Sequence, residues 1–152
     1  MTGAKLLATW FGAGLLKPAP GTWGSLAALP FGWLLLRYGG VTALLAAAAL
    51  VFTMGVWASG AYARQLGNPD PGSVVIDEVA GQWIALSAAL LTPLSFLAAF
   101  ALFRLFDIVK PPPIRQVERA LKGGLGIMTD DVLAGAAAAL VLYLLHRQFG
   151  AF

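Results

Sequence analysis

The sequence predicts an all-α fold: a polytopic membrane bundle of about five short helices, preceded by an interfacial N-terminal segment. Three observations carry this. Of the 152 residues, 59% are hydrophobic and only 11% charged, with a mean hydropathy of +0.80. Soluble domains carry about 25% charged residues, so lipid must be the solvent for much of this surface. The apolar stretches run roughly 16 to 20 residues, about 24–30 Å of helix, enough to span a hydrocarbon core. Turn-forming groups separate them: Gly39-Gly40, Asp70-Pro71-Gly72, Thr92-Pro93 and Pro111-Pro112-Pro113. The length suits one domain, and neither a repeat nor a linker divides it, so residues 1–152 are read as a single membrane-embedded domain.

The elements follow in order. Lys5 and the short apolar stretch after it, interrupted by Gly12 and Gly14, lack a small-residue cleavage site. The segment reads as a retained interfacial helix rather than a signal peptide. Helix 1 covers about 23–38 and helix 2 about 41–60. Helix 3 is expected from Ser73, a plausible N-cap, to just before Thr92-Pro93. Helix 4 covers 94–110 and stops at the proline triplet, which lacks N–H donors and clashes with a continuing helix. Helix 5 covers about 129–147. The Gly39-Gly40 and Thr92-Pro93 joints make two tight helical hairpins within one bundle.

Composition also excludes chemistry. Without cysteine there are no disulfides, thiolate metal sites or cysteine nucleophiles. A single histidine, His146, read as an exposed interfacial residue, leaves no carrier for mechanisms that need a histidine pair. The net charge of +3 contains no basic run, which sets nucleic acid aside and fits attraction to anionic lipid.

Threading five helices back and forth sorts the charges. One face collects Lys5, Lys17, Arg64, Arg104, Lys110, Arg115, Arg119 and Lys122, and the other keeps Arg37 and Arg147. That bias makes the first face cytoplasmic. All seven acids fall on the same face: Asp77-Glu78 near the start of helix 3, Asp107 near the end of helix 4, Asp130-Asp131 at the start of helix 5, and Asp70 and Glu118 in loops. Capping accounts for acids at helix starts, but not for Asp107 at an unfavourable C-terminal end. Buried anions gathered together need cationic partners, and oxygen-only ligands suit Mg²⁺ or Mn²⁺. The five acids Asp77, Glu78, Asp107, Asp130 and Asp131 are therefore the expected metal-binding and catalytic residues. Two further features face the same side. Pro20-Gly21-Thr22-Trp23-Gly24-Ser25 opens helix 1 with unpaired N–H groups and two hydroxyls, so Thr22 and Ser25 serve either an anion or the helix cap. Arg104, Lys110 and Arg115 are candidate phosphate contacts, the loop arginines serving equally as topogenic charge.

Four blocks, FGAGLLKPAPGTWGSLAALP, SVVIDEVAGQW, FRLFDIVKPPPI and GGLGIMTDDVLAG, resemble the bacterial phosphatidylglycerophosphatase A family in order and spacing over residues 11–145. The resemblance implies a Mg²⁺-dependent phosphatase of the cytoplasmic membrane that acts on phosphatidylglycerophosphate among the membrane lipids and yields phosphatidylglycerol. It places the acidic motifs on Asp77-Glu78, Asp107 and Asp130-Asp131, and the glycine-threonine block on Gly21, Thr22, Gly24 and Ser25. The implied chemistry is in-line attack on phosphorus, by water or through an aspartyl-phosphate, with Arg104, Lys110 or Arg115 offsetting equatorial charge. The competing class is a small ion-binding transporter, which would place its acids near mid-membrane rather than at one face. A lipid phosphotransferase is disfavoured, because its Asp-Gly…Ala-Arg spacing within one helix pair is absent. Oligomeric state is not legible from the chain.

Overall fold

The structure, a computed structural model, describes residues 2–150, and among them it contains helices and turns and no strand. The helices are α1 (Gly3–Ala8), α2 (Pro20–Leu66), α3 (Ile76–Leu86), α4 (Pro93–Val109), α5 (Ile114–Ala120) and α6 (Gly123–Phe149), with a 3₁₀ turn at Ala13–Leu15. The expected all-α bundle is formed: its five main rods are the two arms of α2 together with α3, α4 and α6.

The arms meet at Gly40, which has φ 70° and ψ −172°, a conformation open to glycine because it has no Cβ. A straight helix of 47 residues would run about 70 Å. Instead Gly24 of the first arm lies on Val75 and Gly55 of the second lies on Ile76, at the same end of α3. The chain therefore reverses at Gly40, as the Gly39-Gly40 joint predicts. The second arm runs past residue 60 to Leu66 and ends at Gly67, a left-handed cap whose N–H reaches the Ala63 and Arg64 carbonyls.

Three further segments differ from expectation, each for a packing reason. First, α3 has 11 residues, about 16 Å, too short to cross a hydrocarbon core. Eight of the 11 are buried, and the Val75 N–H just before the helix bonds to Ala8 O at 2.8 Å. Ser73 therefore does not cap it, and α3 is a core helix rather than a span. Second, α6 starts at Gly123 instead of 129. A Cβ at Gly124 would strike the Val56 carbonyl and the Gly60 backbone, so the glycine run is helical because it lets α6 sit directly on α2. Third, the N-terminal segment is not one helix. After α1 the chain turns through Trp10 and Phe11 at positive φ, and Trp10 packs edge-on against Trp83 and Phe31.

Two helices, α2 and α6, are long and apolar enough to cross a membrane. Only 28% of the most apolar window of α2 is buried, so its apolar groups face outward rather than into the bundle, including Leu26, Leu34, Leu50 and Trp57. The bundle has two distinct ends. The starts of α2, α3 and α6 meet the end of α4 at one. The Gly40 turn, the 87–92 connection and the end of α6 lie at the other, where Ser95 Oγ and His146 Nε2 are 3.3 Å apart. His146 is thus half-buried rather than exposed.

Candidate active site

The five expected acids converge at the first end. Asp77 and Glu78 occupy the first turn of α3, Asp107 the last turn of α4, and Asp130 and Asp131 lie two turns inside α6. The α6 acids are therefore not helix caps, which removes the bland explanation for them. Their approach depends on two glycines. A Cβ at Gly81 would meet Asp131 O and the Phe103 ring, and one at Gly135 would meet the Gly81 backbone. Here α3 and α6 touch backbone to backbone, which carries Asp131 to Asp77 and Glu78.

The carboxylates then divide by partner. Asp107 pairs with Arg104, whose guanidinium also lies 3.7 Å from Glu78 Oε1. Asp130 accepts from Lys110 Nζ at 2.6 Å, and the same ammonium reaches Glu118 at 2.7 Å. Asp77, Glu78 and Asp131 instead turn toward one another, each offering an oxygen within 4.8 Å of the other two. Asp77 Oδ1, Glu78 Oε2 and Asp131 Oδ2 are buried without a hydrogen-bond partner.

Electrostatics agree. Burial pushes the Asp77 and Glu78 carboxyls well up, Glu78 to about 8. The Glu78 charge adds to the rise at Asp77, while a hydrogen bond from Asp77 works against the rise at Glu78. At Lys110 burial acts to lower the pKa, but the bonds to Asp130 and Glu118 override it and hold the ammonium above the usual lysine range. Three clustered carboxylates with mutual repulsion, offset at Glu78 by an Arg104 that Asp107 shares, fit a hard divalent ion, which would reverse the sign of each penalty.

These groups line a cleft of about 320 Å³. Asp77, Glu78, Asp107, Asp130, Asp131 and Lys110 form its floor and wall, and the 69–72 loop, Glu118 and Lys122 its rim. Other expected residues lie elsewhere. Ser25 is fully buried and its hydroxyl donates to Gly21 O at 2.9 Å within its own helix. Thr22 stands in the first turn of α2 but does not line the cleft. Arg115 donates to Val109 O at 3.0 Å and borders a separate groove with Arg119. Arg104 does not line the cleft either, its guanidinium being engaged with Asp107 and Glu78 behind the lining. The real link from the glycine-threonine block is Gly21, where a Cβ would collide with Glu78 Oε1 and the Arg104 guanidinium. Sequence reasoning also missed Gln82, fully buried one turn beyond Glu78. Its i+4 spacing from an acid was the available signal.

Comparison with known proteins accords with this geometry. The family profile described as Phosphatidylglycerophosphatase A matches residues 6–146. A Haemophilus influenzae protein named Phosphatidylglycerophosphatase A is 48% identical over 144 residues, covering 93% of this chain and 87% of the relative. The Escherichia coli protein of that name is 42% identical over 145 residues, 95% of this chain and 84% of its own. A Bacteroides thetaiotaomicron protein bearing a provisional phosphatidylinositol-3-phosphatase name is 43% identical over 153 residues, 95% and 94% of the two chains. No solved structure matches significantly. On a profile match across nearly the whole chain and relatives above 40% identity, the chain belongs to the phosphatidylglycerophosphatase A family.

Proposed function

We propose that this protein is a Mg²⁺-dependent lipid phosphatase that hydrolyses phosphatidylglycerophosphate to phosphatidylglycerol and inorganic phosphate. In this reading it is a multi-pass protein of the cytoplasmic membrane, with its cleft on the cytoplasmic face. The observation that carries the proposal is the triad Asp77, Glu78 and Asp131, with oxygens within 4.8 Å of one another and, at Glu78, an Arg104 that is shared with Asp107. Family membership supports the substrate class, and the sorting of lysine and arginine to the cleft end supports the cytoplasmic face.

The triad would hold the ion, with Asp107 and Asp130 beside it. When bound, Mg²⁺ supplies Lewis-acid polarisation of the phosphomonoester and neutralises developing charge. The chain's own residues do the rest. Lys110, fixed by Asp130 and Glu118, presents a permanent positive charge at the cleft wall. Lys122 at the rim attracts the headgroup, whose phosphodiester and terminal phosphomonoester are both anionic. Arg104, braced by Asp107 and Glu78 where the first turn of α2 closes on the acids, adds positive charge behind the cleft lining. Water attacks in line, one P–O bond forms as the ester P–O bond breaks, and the leaving alkoxide is protonated to give the lipid alcohol.

The test is inorganic phosphate release from phosphatidylglycerophosphate in detergent with Mg²⁺ and no nucleotide, alongside phosphatidylinositol 3-phosphate. The expected result is release from the first lipid in clear preference to the second. Preference for the inositol lipid would overturn the substrate assignment, and no release from folded protein would put the ion-binding reading first.

A further inference from the structure

The buried polar groups behind the triad form a complementary set. Gln82 is fully buried, and neither its Nε2 nor its Oε1 has a hydrogen-bond partner. Glu78 Oε2 and Arg104 Nε are likewise buried and unpartnered. That makes two donors, the Gln82 amide and Arg104 Nε–H, facing two acceptors, Gln82 Oε1 and Glu78 Oε2. Leaving such groups unsatisfied carries their full desolvation penalty, and native interiors rarely tolerate it.

Helix geometry places all four at one seam. Gln82 follows Glu78 by four residues, so it lies one turn further and about 40° round the helix. Its neighbours bracket the direction. Gly81 faces Phe103 of α4, whereas Trp83 donates to Ala28 O on the first arm of α2 at 2.9 Å. Gln82 therefore points between α4 and that arm. Glu78 meets Gly21 and Arg104 at the same seam. Helical side chains lean toward the N-terminus of their helix, which carries the amide of Gln82 up toward Glu78.

We propose that Gln82 is a positioning residue that ties Glu78 to Arg104, its Nε2 linked to Glu78 Oε2 and its Oε1 to Arg104 Nε through buried water. It touches neither substrate nor metal. It fixes which oxygen Glu78 turns to the ion and holds the Arg104 guanidinium against Glu78 and Asp107. The inference rests on the function proposed above.

The experiment compares wild type with Gln82→Leu, and with the unbranched Gln82→Met should the leucine variant not fold. Two readouts are taken: the Mg²⁺ concentration that half-saturates the thermal shift, and kcat with KM for phosphate release. Losing an outer-shell partner of a metal ligand typically costs about 10–100-fold in affinity or activity. The expected result is a shift of that size in the Mg²⁺ midpoint and a comparable fall in kcat, with KM changed less and the metal-free thermal midpoint lowered, since Glu78 Oε2 and Arg104 Nε lose their partner. A Mg²⁺ midpoint and kcat within about twofold of wild type would overturn the proposal, as would a lower thermal midpoint with the Mg²⁺ midpoint unmoved, which indicates packing alone. If wild type itself shows neither a Mg²⁺ shift nor phosphate release, the functional reading fails and this inference with it. An active wild type with an indifferent Gln82 variant sinks only this inference.

Discussion

The two ends of the bundle handle polar groups in opposite ways. At the far end the Thr92 hydroxyl caps α4 by accepting from Ser95 N–H, Ser95 Oγ accepts from Leu90 N–H, and His146 closes on the same hydroxyl. At the cleft end Asp77, Glu78, Asp130 and Asp131 each keep a buried oxygen without a partner. The same small fold thus satisfies polar groups where only stability is at stake and leaves them open where charge is concentrated. A structure that breaks its own packing rule at one place, and elsewhere obeys it, makes that place the candidate site.

The comparison can be broken most sharply at the triad. Asp131→Asn is expected to lower kcat by about 10²–10³-fold, the scale for losing one electrostatic element of a site. Its thermal midpoint should hold or rise, since a buried uncompensated anion has been removed; a large fall in stability with activity retained would make Asp131 structural. Lys110→Met should cost less, about 10–100-fold in kcat/KM, matching the 1.5–3 kcal/mol of a charged hydrogen bond. The pH dependence of this lysine follows from its raised pKa. Its contribution is fully present below the ordinary lysine pKa and fades only as pH rises through the higher folded value. An alkaline limb in activity near neutral pH should therefore survive in Lys110→Met, and its disappearance there would contradict the assignment. Arg115→Gln, outside the cleft, should change kcat/KM by no more than about threefold, as for an exposed charge. Smallest of all, His146→Ala should leave phosphate release unchanged; a substantial loss would mean that the two ends are coupled.

Much of this was legible in advance because it depends on composition and chain reversal. Apolar runs punctuated by Gly39-Gly40 and Thr92-Pro93 defined the rods, and alternating their direction gathered acids as distant as Asp77 and Asp131 at one end. Packing was not legible. Nothing local distinguishes α3, a buried core helix, from an apolar span, because burial in protein and burial in lipid select the same residues. The GGLG run looked like a loop because glycine has low helix propensity, yet contact with Val56 and Gly60 overrides that preference. The clustering of Asp77, Glu78 and Asp131 apart from Asp107 and Asp130, and the way Arg104 and Lys110 are shared among the acids, turn on side-chain reach across helices, which spacing along one chain does not encode. For the same reason Ser25, a hydroxyl in a promising motif, bonds back into its own helix.

The most direct test of the central claim is phosphate release from phosphatidylglycerophosphate by the purified protein across a Mg²⁺ titration and with excess chelator, run in parallel on Asp131→Asn with the thermal midpoint of each sample recorded. The account predicts release that saturates with Mg²⁺, vanishes with chelator and is lost in a variant as stable as wild type. Release that is indifferent to chelator, or retained in Asp131→Asn, would contradict it.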